Sequence, residues 1–374
     1  MILLAWRNLM HDRVRLAVTL TGIVFSLVLM LVQSGLFLGF LETSGNIVER
    51  SGADLWITAP GIPHVNAGAP IPERRRFQAL AVPGVARADK FILQFNPWKL
   101  PSGAWENVQV AGFDLEGGMG GPWNITRGNS GQLHSIDTVV VDELYRPKLG
   151  IPDGDALFEL NGRRARIAGY TAGIRSFTTS PYIFTSIQNA HRYTRVRPNE
   201  TTFLLIRTAP GAAPVEVQQR LRRAVPGVDV YTNAEMLART RYYWIFKTGA
   251  GITTLIGVVL GLAVGMVVVA QTIYAATVDH LREFGTLKAM GAENWHIYRV
   301  ILTQALISGA AGYSVAIVAG WMIARKSESG TAAILLPSEL ALGTFFLALA
   351  MCTGASVLSI RKATSIDPAL VFRS

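Results

Sequence analysis

Charge and cysteine are both scarce in this chain of 374 residues. Only 16% are Asp, Glu, Lys or Arg, against about 25% in a soluble globular domain, while 50% are hydrophobic and the mean hydropathy is +0.32. That balance excludes intrinsic disorder and argues against an ordinary soluble enzyme. The single cysteine, Cys352, excludes an intramolecular disulfide framework and any Cys-rich zinc or iron–sulfur site. The histidines are His11, His64, His134, His191, His280 and His296, and none forms a His-x-x-x-His pair or an HExxH motif. No Gly-x-Ser-x-Gly nucleophile elbow is present, and no phosphate-binding loop ending in Lys-Ser/Thr. The chain therefore has no ATP site of its own. Asp142 with Glu143, and Asp153 with Asp155, are conceivable acid/base pairs, but adjacent carboxylates in turn-rich sequence are commonly surface groups.

The few charges leave long gaps. Leu16–Leu41 is 26 residues without charge, Thr248–Val278 is 31, Val300–Ala324 is 25 and Leu340–Ile360 is 21. A hydrocarbon core about 30 Å thick is crossed by roughly 20 helical residues. A charge near the centre of such a helix costs about 2.5–3.5 kcal/mol, so four such gaps predict four transmembrane helices. Their boundaries are set at 16–41, 248–278 (the second helix with a cytoplasmic extension), 300–324 and 337–360. The first apolar run exceeds the 7–15 residues usual in a signal peptide and ends in no clean cleavage site, so it is read as an uncleaved helix.

Short flanks give the orientation. Arg7, Arg13 and Arg15 precede the first helix, Arg282, Lys288 and Arg299 lie between the second and third, and Arg361, Lys362 and Arg373 follow the fourth. The positive-inside rule assigns 1–15, 279–299 and 361–374 to the cytoplasm. Arg325 and Lys326, in the short outer loop 325–336, oppose this, but two basic residues at a helix end can snorkel. Residues 42–247 then form one large extracytoplasmic domain. It carries 24 Lys/Arg and 18 Asp/Glu without a contiguous basic stripe, so the net charge of +10 is no argument for nucleic acid.

This domain reads as mixed α/β. Short β-rich runs occur at Asp54–Thr58, Val108–Ala111, Thr138–Val141, Ala165–Ala168 and Phe203–Arg207, separated by Gly/Pro turns. A weak echo links Gln78–Val85 with Leu221–Val228, each ending Ala-Val-Pro-Gly-Val after an amphipathic stretch. Two helix–turn–strand units are one reading, and coincidence of common turn residues is the other. The glycine-rich stretch Gly112–Gly131 reads as a mobile loop.

Gly257, Gly261 and Gly265 repeat every four residues in the second helix, and Gly312, Ala316 and Gly320 do so in the third. That spacing puts small residues on one face and permits close helix packing, although glycine is also simply frequent in membrane helices. Between these helices Leu281, Phe284, Leu287 and Met290 can form one apolar face, and Gly291 permits a sharp turn.

Arg282-Glu283-Phe284-Gly285-Thr286-Leu287-Lys288-Ala289-Met290-Gly291-Ala292 resembles the Arg-Glu-Ile-Gly-x-x-x-Ala-x-Gly-Ala signature of the MacB/FtsX-like ABC transporter permeases. Phe284 and Met290 depart from its commoner isoleucine and leucine but stay apolar. Trp6-Arg7-Asn8-Leu9 near the start and Ile366-Asp367-Pro368-Ala369 near the end resemble the same family. Gly52-Ala53-Asp54-Leu55-Trp56 and Tyr274–Leu281 look like its DevC-type subgroup.

The resemblance implies a MacB-like fold: four transmembrane helices with the α/β domain inserted between the first two. It also implies a second permease copy and a dimer of cytoplasmic ABC ATPase subunits that hold the ATP and Mg, this chain binding no cofactor. A periplasmic adaptor and an outer-membrane channel complete the DevC-type assembly in the bacterial inner membrane. Arg282, Glu283, Lys288, Met290 and Gly291 are the implied coupling residues toward the ATPase. Export of a lipid, glycolipid or other envelope-targeted substrate by mechanotransmission is the implied function. Lipoprotein release or regulation of a cell-wall hydrolase within the same family stays open, as does a membrane-anchored sensor or adhesin outside it.

Overall fold

The computed structural model describes residues 13–152, 157–178, 180–279, 293–328, 330 and 333–364. The chain divides into two compact units, a helical one (up to Gly39, Thr253–Ser327 and from Ile334) and an α/β one (Phe40–Ile252 with Glu328–Ala333). Helix α1 (Arg13–Glu49) runs on past its charge-free stretch and supplies residues to both.

In the α/β unit, strands β1 (Leu55–Thr58), β2 (Ile71–Pro72), β3 (Val85–Lys99), β4 (Trp105–Phe113), β5 (Ile125–Gly128) and β6 (Thr138–Asp142) are followed by β7 (Leu157–Leu160), β8 (Arg163–Thr171), β9 (Tyr182–Ser186), β10 (Glu200–Thr201), β11 (Phe203–Thr208) and β12 (Asp229–Thr232). Helices α2 (Arg74–Leu80), α3 (Ile187–Tyr193), α4 (Pro214–Ala224) and α5 (Asn233–Tyr242) lie among them, and a π-helical turn, Tyr243–Lys247, follows α5. Among the described residues ten strands form one mixed sheet in the order β12-β1-β11-β3-β4-β9-β6-β8-β5, with β7 bridging β3 and β8; β2 and β10 pair separately. The β4–β9 and β6–β8 pairs are parallel, and the other pairs are antiparallel.

The long strand β3 carries the sheet across its middle. Its first half pairs with β11, Phe91 opposite Phe203, and its second half pairs with β4 as far as Lys99 opposite Trp105. Apolar side chains line both faces, as a covered sheet requires. Trp56, Phe91, Phe184, Phe203 and Met236 fill one core, Trp98, Tyr145, Ile183 and Tyr193 a second, and Leu55, Ile57, Leu204, Val217 and Leu221 a third. Local chemistry starts the helices: Pro214 opens α4, Ser186 caps α3, and Thr232 with Glu235 forms a capping box on α5.

The Pro-Gly echo has a structural counterpart. Helix α2 ends before Pro83-Gly84 and leads to β3, and α4 ends before Pro226-Gly227 and leads to β12. Gly84 and Gly227 have φ of +95° and +72°, backbone that glycine adopts without strain. The glycine-rich stretch, by contrast, is largely packed over 112–121 and exposed further on, from Asn124 to Asn129. Gly120 N–H donates to the Ser51 carbonyl at 2.8 Å, Met119 is buried, and a Cβ on Gly117 would lie 1.6 Å from an Asp89 carboxylate oxygen. Its glycines admit neighbouring side chains to a tight corner, which composition alone reads as looseness.

The helical unit holds the inner part of α1 with α6 (Gly249–Asp279), α7 (Asn294–Ser327) and α8 (Ser338–Thr364). Ile23, Leu27, Met30 and Leu31 form one stripe along α1 at helical spacing. They share one core with Val269 and Ile273 of α6, Ala305 and Ala316 of α7, and Ala348, Met351, Cys352 and Ala355 of α8. All four helices are long and apolar enough to cross a membrane. The fold is thus α-helical membrane protein with a mixed α/β domain inserted after the first of four transmembrane helices.

Candidate functional site

The five glycines expected to pack helices, Gly257, Gly261, Gly265, Gly312 and Gly320, each face α1. A Cβ on Gly257 would stand 3.1 Å from the Gln33 side-chain oxygen, one on Gly261 3.5 Å from Gln33 Cγ, and one on Gly265 2.1 Å from Met30 Cε. On α7, Gly312 receives Ile23, whose Cγ2 would be 2.5 Å from an added Cβ, and Gly320 receives Leu31 at 3.3 Å. Close approach of this kind replaces a side chain by dispersion contact along the helix. Two contacts of the same type escaped the spacing argument. Gly22 of α1 receives Thr272, and Gly309 of α7 receives Cys352 Sγ at 2.9 Å, because neither glycine belongs to a four-residue repeat.

Burial holds the Cys352 side chain away from water in this core, and the residue is a free thiol. The residues expected to couple to the ATPase, Arg282, Glu283, Lys288, Met290 and Gly291, lie outside the described residues, and so do Asp153 and Asp155.

In the α/β unit the acidic candidates have structural partners. Asp142 is buried, and its carboxylate accepts from Leu144 N at 3.0 Å, Thr171 Oγ1 at 2.9 Å and Ile174 N at 2.7 Å. Glu143 accepts from Thr126 Oγ1 at 3.2 Å and faces Arg127 at 3.5 Å. Desolvation of the buried His64 ring lowers its pKa to about 4, partly opposed by its hydrogen bond with Asn66. Burial likewise pushes Tyr182 well above the ordinary phenol range. Among the described residues no three His, Cys, Asp or Glu side chains converge on a metal site.

Four apolar helices pack on one another, and a mixed sheet is inserted after the first. That is the architecture of a membrane permease subunit. Residues 16–224 match the MacB-like periplasmic core domain, and residues 240–368 match the FtsX-like permease C-terminal domain. The chain belongs to the MacB/FtsX-like family of ABC transporter permeases.

An uncharacterized ABC transporter permease of Mycobacterium bovis is 23% identical over 368 residues, covering 98% of this chain and 96% of the relative. A second such permease, from Mycobacterium tuberculosis, is 23% identical over 376 residues, covering 100% of this chain and 99% of the relative. Among solved structures, the periplasmic region of MacB from Actinobacillus actinomycetemcomitans aligns with a TM-score of 0.39 at 9% identity, over 50% of this chain and 92% of that one. The extracellular domain of the noncanonic ABC-type transporter YknZ from Gram-positive bacteria aligns with a TM-score of 0.36 at 8% identity, over 48% and 99%. Both family matches are to permease domains, which makes the chain the permease subunit of its transporter. It is a multi-pass inner-membrane protein with a periplasmic domain.

Proposed function

We propose that this permease exports a lipid, glycolipid or other hydrophobic envelope substrate by mechanotransmission, as the DevC-type subgroup does. A separate cytoplasmic ATPase pair binds ATP, the 282–291 segment receives its closure, and the helices carry the motion outward. Two permease copies form the membrane core, with both termini and residues 279–299 in the cytoplasm. Residues 42–247 work outside, with a periplasmic adaptor and an outer-membrane channel.

One observation carries this reading: within the spans the only charge is Glu339, in the first turn of α8, and the glycine faces of α6 and α7 are filled by α1. A polar substrate path would call for ionisable or water-lined positions inside the bundle. A close-packed lever calls for the opposite.

The test is purification of the tagged chain from membranes with its ATPase, comparing wild type with a Glu283→Ala, Gly291→Val double variant. A co-purified ATPase whose activity is lost or uncoupled in the variant supports the coupling role. Unchanged coupling in the variant would remove these residues from it, and a wild type that brings down no ATPase would remove the transport mechanism.

A further inference from the structure

Three segments of the α/β unit lead directly into membrane helices: the outer end of α1, the π-helical turn before α6, and the stretch after α7. The short loop following β8, Ile174–Thr178, touches all three. Phe177 sets its ring 5.7 Å from that of Phe40 on α1, nearly perpendicular at 85°, and 4.2 Å from the Trp244 indole in the π-helical turn. The Arg175 carbonyl accepts from Asn46 Nδ2 on α1 at 2.5 Å. Its guanidinium donates to the Gly330 carbonyl at 3.2 Å and to the Glu328 carbonyl, both beyond the end of α7.

The same loop is fastened to the sheet by buried groups. Ile174 N–H donates to Asp142 at the end of β6, and Ser176 N–H donates to the Tyr145 hydroxyl at 3.1 Å. Gln109 of β4 donates from Nε2 to Ser176 Oγ at 2.8 Å and to Thr178 Oγ1 at 3.1 Å. Its Oε1 accepts from Asn66 Nδ2 at 2.6 Å. Gln109, Asp142, Tyr145 and Ser176 are all essentially inaccessible to water. Hydrogen bonds held in a low-dielectric interior resist rearrangement, so the loop moves with the sheet.

We propose that the 174–178 loop is the junction where motion of the first three membrane helices enters the outer domain, with Arg175 and Phe177 as its positioning residues. Arg175 suits the role because one planar guanidinium spans two carbonyl acceptors two residues apart, which a lysine ammonium cannot do with fixed geometry. Phe177 suits it because it wedges between two segments that lead into different helices, so displacement of either reaches the same backbone. The proposal rests on the mechanotransmission reading above.

The experiment is hydrogen–deuterium exchange on the whole permease–ATPase complex, without nucleotide and with ADP–vanadate. Wild type, Arg175→Ala, Phe177→Ala and the conservative Arg175→Lys are compared, with ATPase rate and thermal unfolding recorded for each. The expected result is a nucleotide-dependent change in uptake across 138–145 and 174–186 in wild type, reduced roughly fivefold or more in the alanine variants and less in Arg175→Lys. ATPase rates and co-purification stay near wild type. If wild type responds and the folded alanine variants respond equally, the junction is refuted while mechanotransmission stands. Should an alanine variant fail to fold, a full response in Arg175→Lys alongside the remaining alanine variant refutes it equally. No response in wild type overturns both proposals.

Discussion

His64 stacks on Tyr243, with ring centroids 4.1 Å apart and planes 30° from parallel, and the Trp244 ring closes on its edge at 4.9 Å. Only 8% of His64 is exposed, and no partner is found for its Nδ1. An imidazolium would lose hydration there without gaining a counter-charge, which is why its pKa falls to about 4. Above pH 6.5 the ring is neutral in both the folded and unfolded chain. Between pH 6.5 and about 4 the unfolded chain takes up a proton that the fold excludes, so stability declines through this window by about 3 kcal/mol. The check is the difference in unfolding free energy between wild type and His64→Gln in detergent at pH 7 and pH 4. Wild type should lose its share of stability relative to the variant, and a pH-independent difference would refute the assignment.

The bundle glycines separate by the stiffness of what meets them. Gly312 faces Ile23, whose β-branch has few rotamers, whereas Gly265 faces the flexible end of Met30. Gly312→Val is expected to destabilise the solubilised protein by about 1–3 kcal/mol, as overpacking does, and Gly265→Ala by clearly less. Gly354 of α8 meets nothing within 4 Å, so Gly354→Ala should be neutral or stabilising by up to about 1 kcal/mol. Thermal unfolding of the three variants would show that order, and a Gly354→Ala variant as damaged as Gly312→Val would contradict it.

Asp142 makes a sharper demand. Its carboxylate satisfies two backbone amides and the Thr171 hydroxyl, and removing it strands donors in a dry interior. Asp142→Ala should cost about 3 kcal/mol or more, while Asp142→Asn, which keeps one acceptor oxygen, should cost less. Chemical denaturation of the two variants tests the ranking. Amide exchange at Ile174 should rise in both.

Much of this architecture is legible from residue order, and the failures have definite causes. The membrane helices announce themselves because exclusion of charge is local and cumulative. Strands β6 and β11 are short apolar runs bounded by turn residues, and the pattern finds them directly. Strand β3 escapes that pattern because Arg87, Asp89 and Lys90 interrupt it and Pro97 lies inside it. Its length comes from tertiary pairing with two different neighbours rather than from propensity. The 174–178 junction was invisible for another reason. Its partners Phe40, Asn46, Gln109, Asp142, Trp244 and Gly330 are scattered along the chain, and Ile-Arg-Ser-Phe-Thr carries no motif. The proposed coupling residues are the reverse case: they are singled out by a sequence motif and lie outside the described residues.

Those coupling residues give the last prediction. In the sequence Leu281, Phe284, Leu287 and Met290 have the spacing of one apolar helix face, and Gly291 follows them as a candidate turn residue. A valine there adds a β-branched side chain that disfavours the left-handed backbone a helix-ending glycine commonly adopts. Met290→Leu only exchanges one apolar side chain for another of similar volume, which cores and interfaces tolerate. Gly291→Val is therefore expected to reduce nucleotide-driven exchange changes in the outer domain by about tenfold, equivalent to about 1.4 kcal/mol of coupling. Met290→Leu should stay within about twofold of wild type by the same measure. Measuring ATPase rate alongside distinguishes lost docking, which lowers both readouts, from lost transmission, which leaves hydrolysis running while the outer domain stays still. Equal behaviour of the two variants would show that Gly291 has no part in coupling.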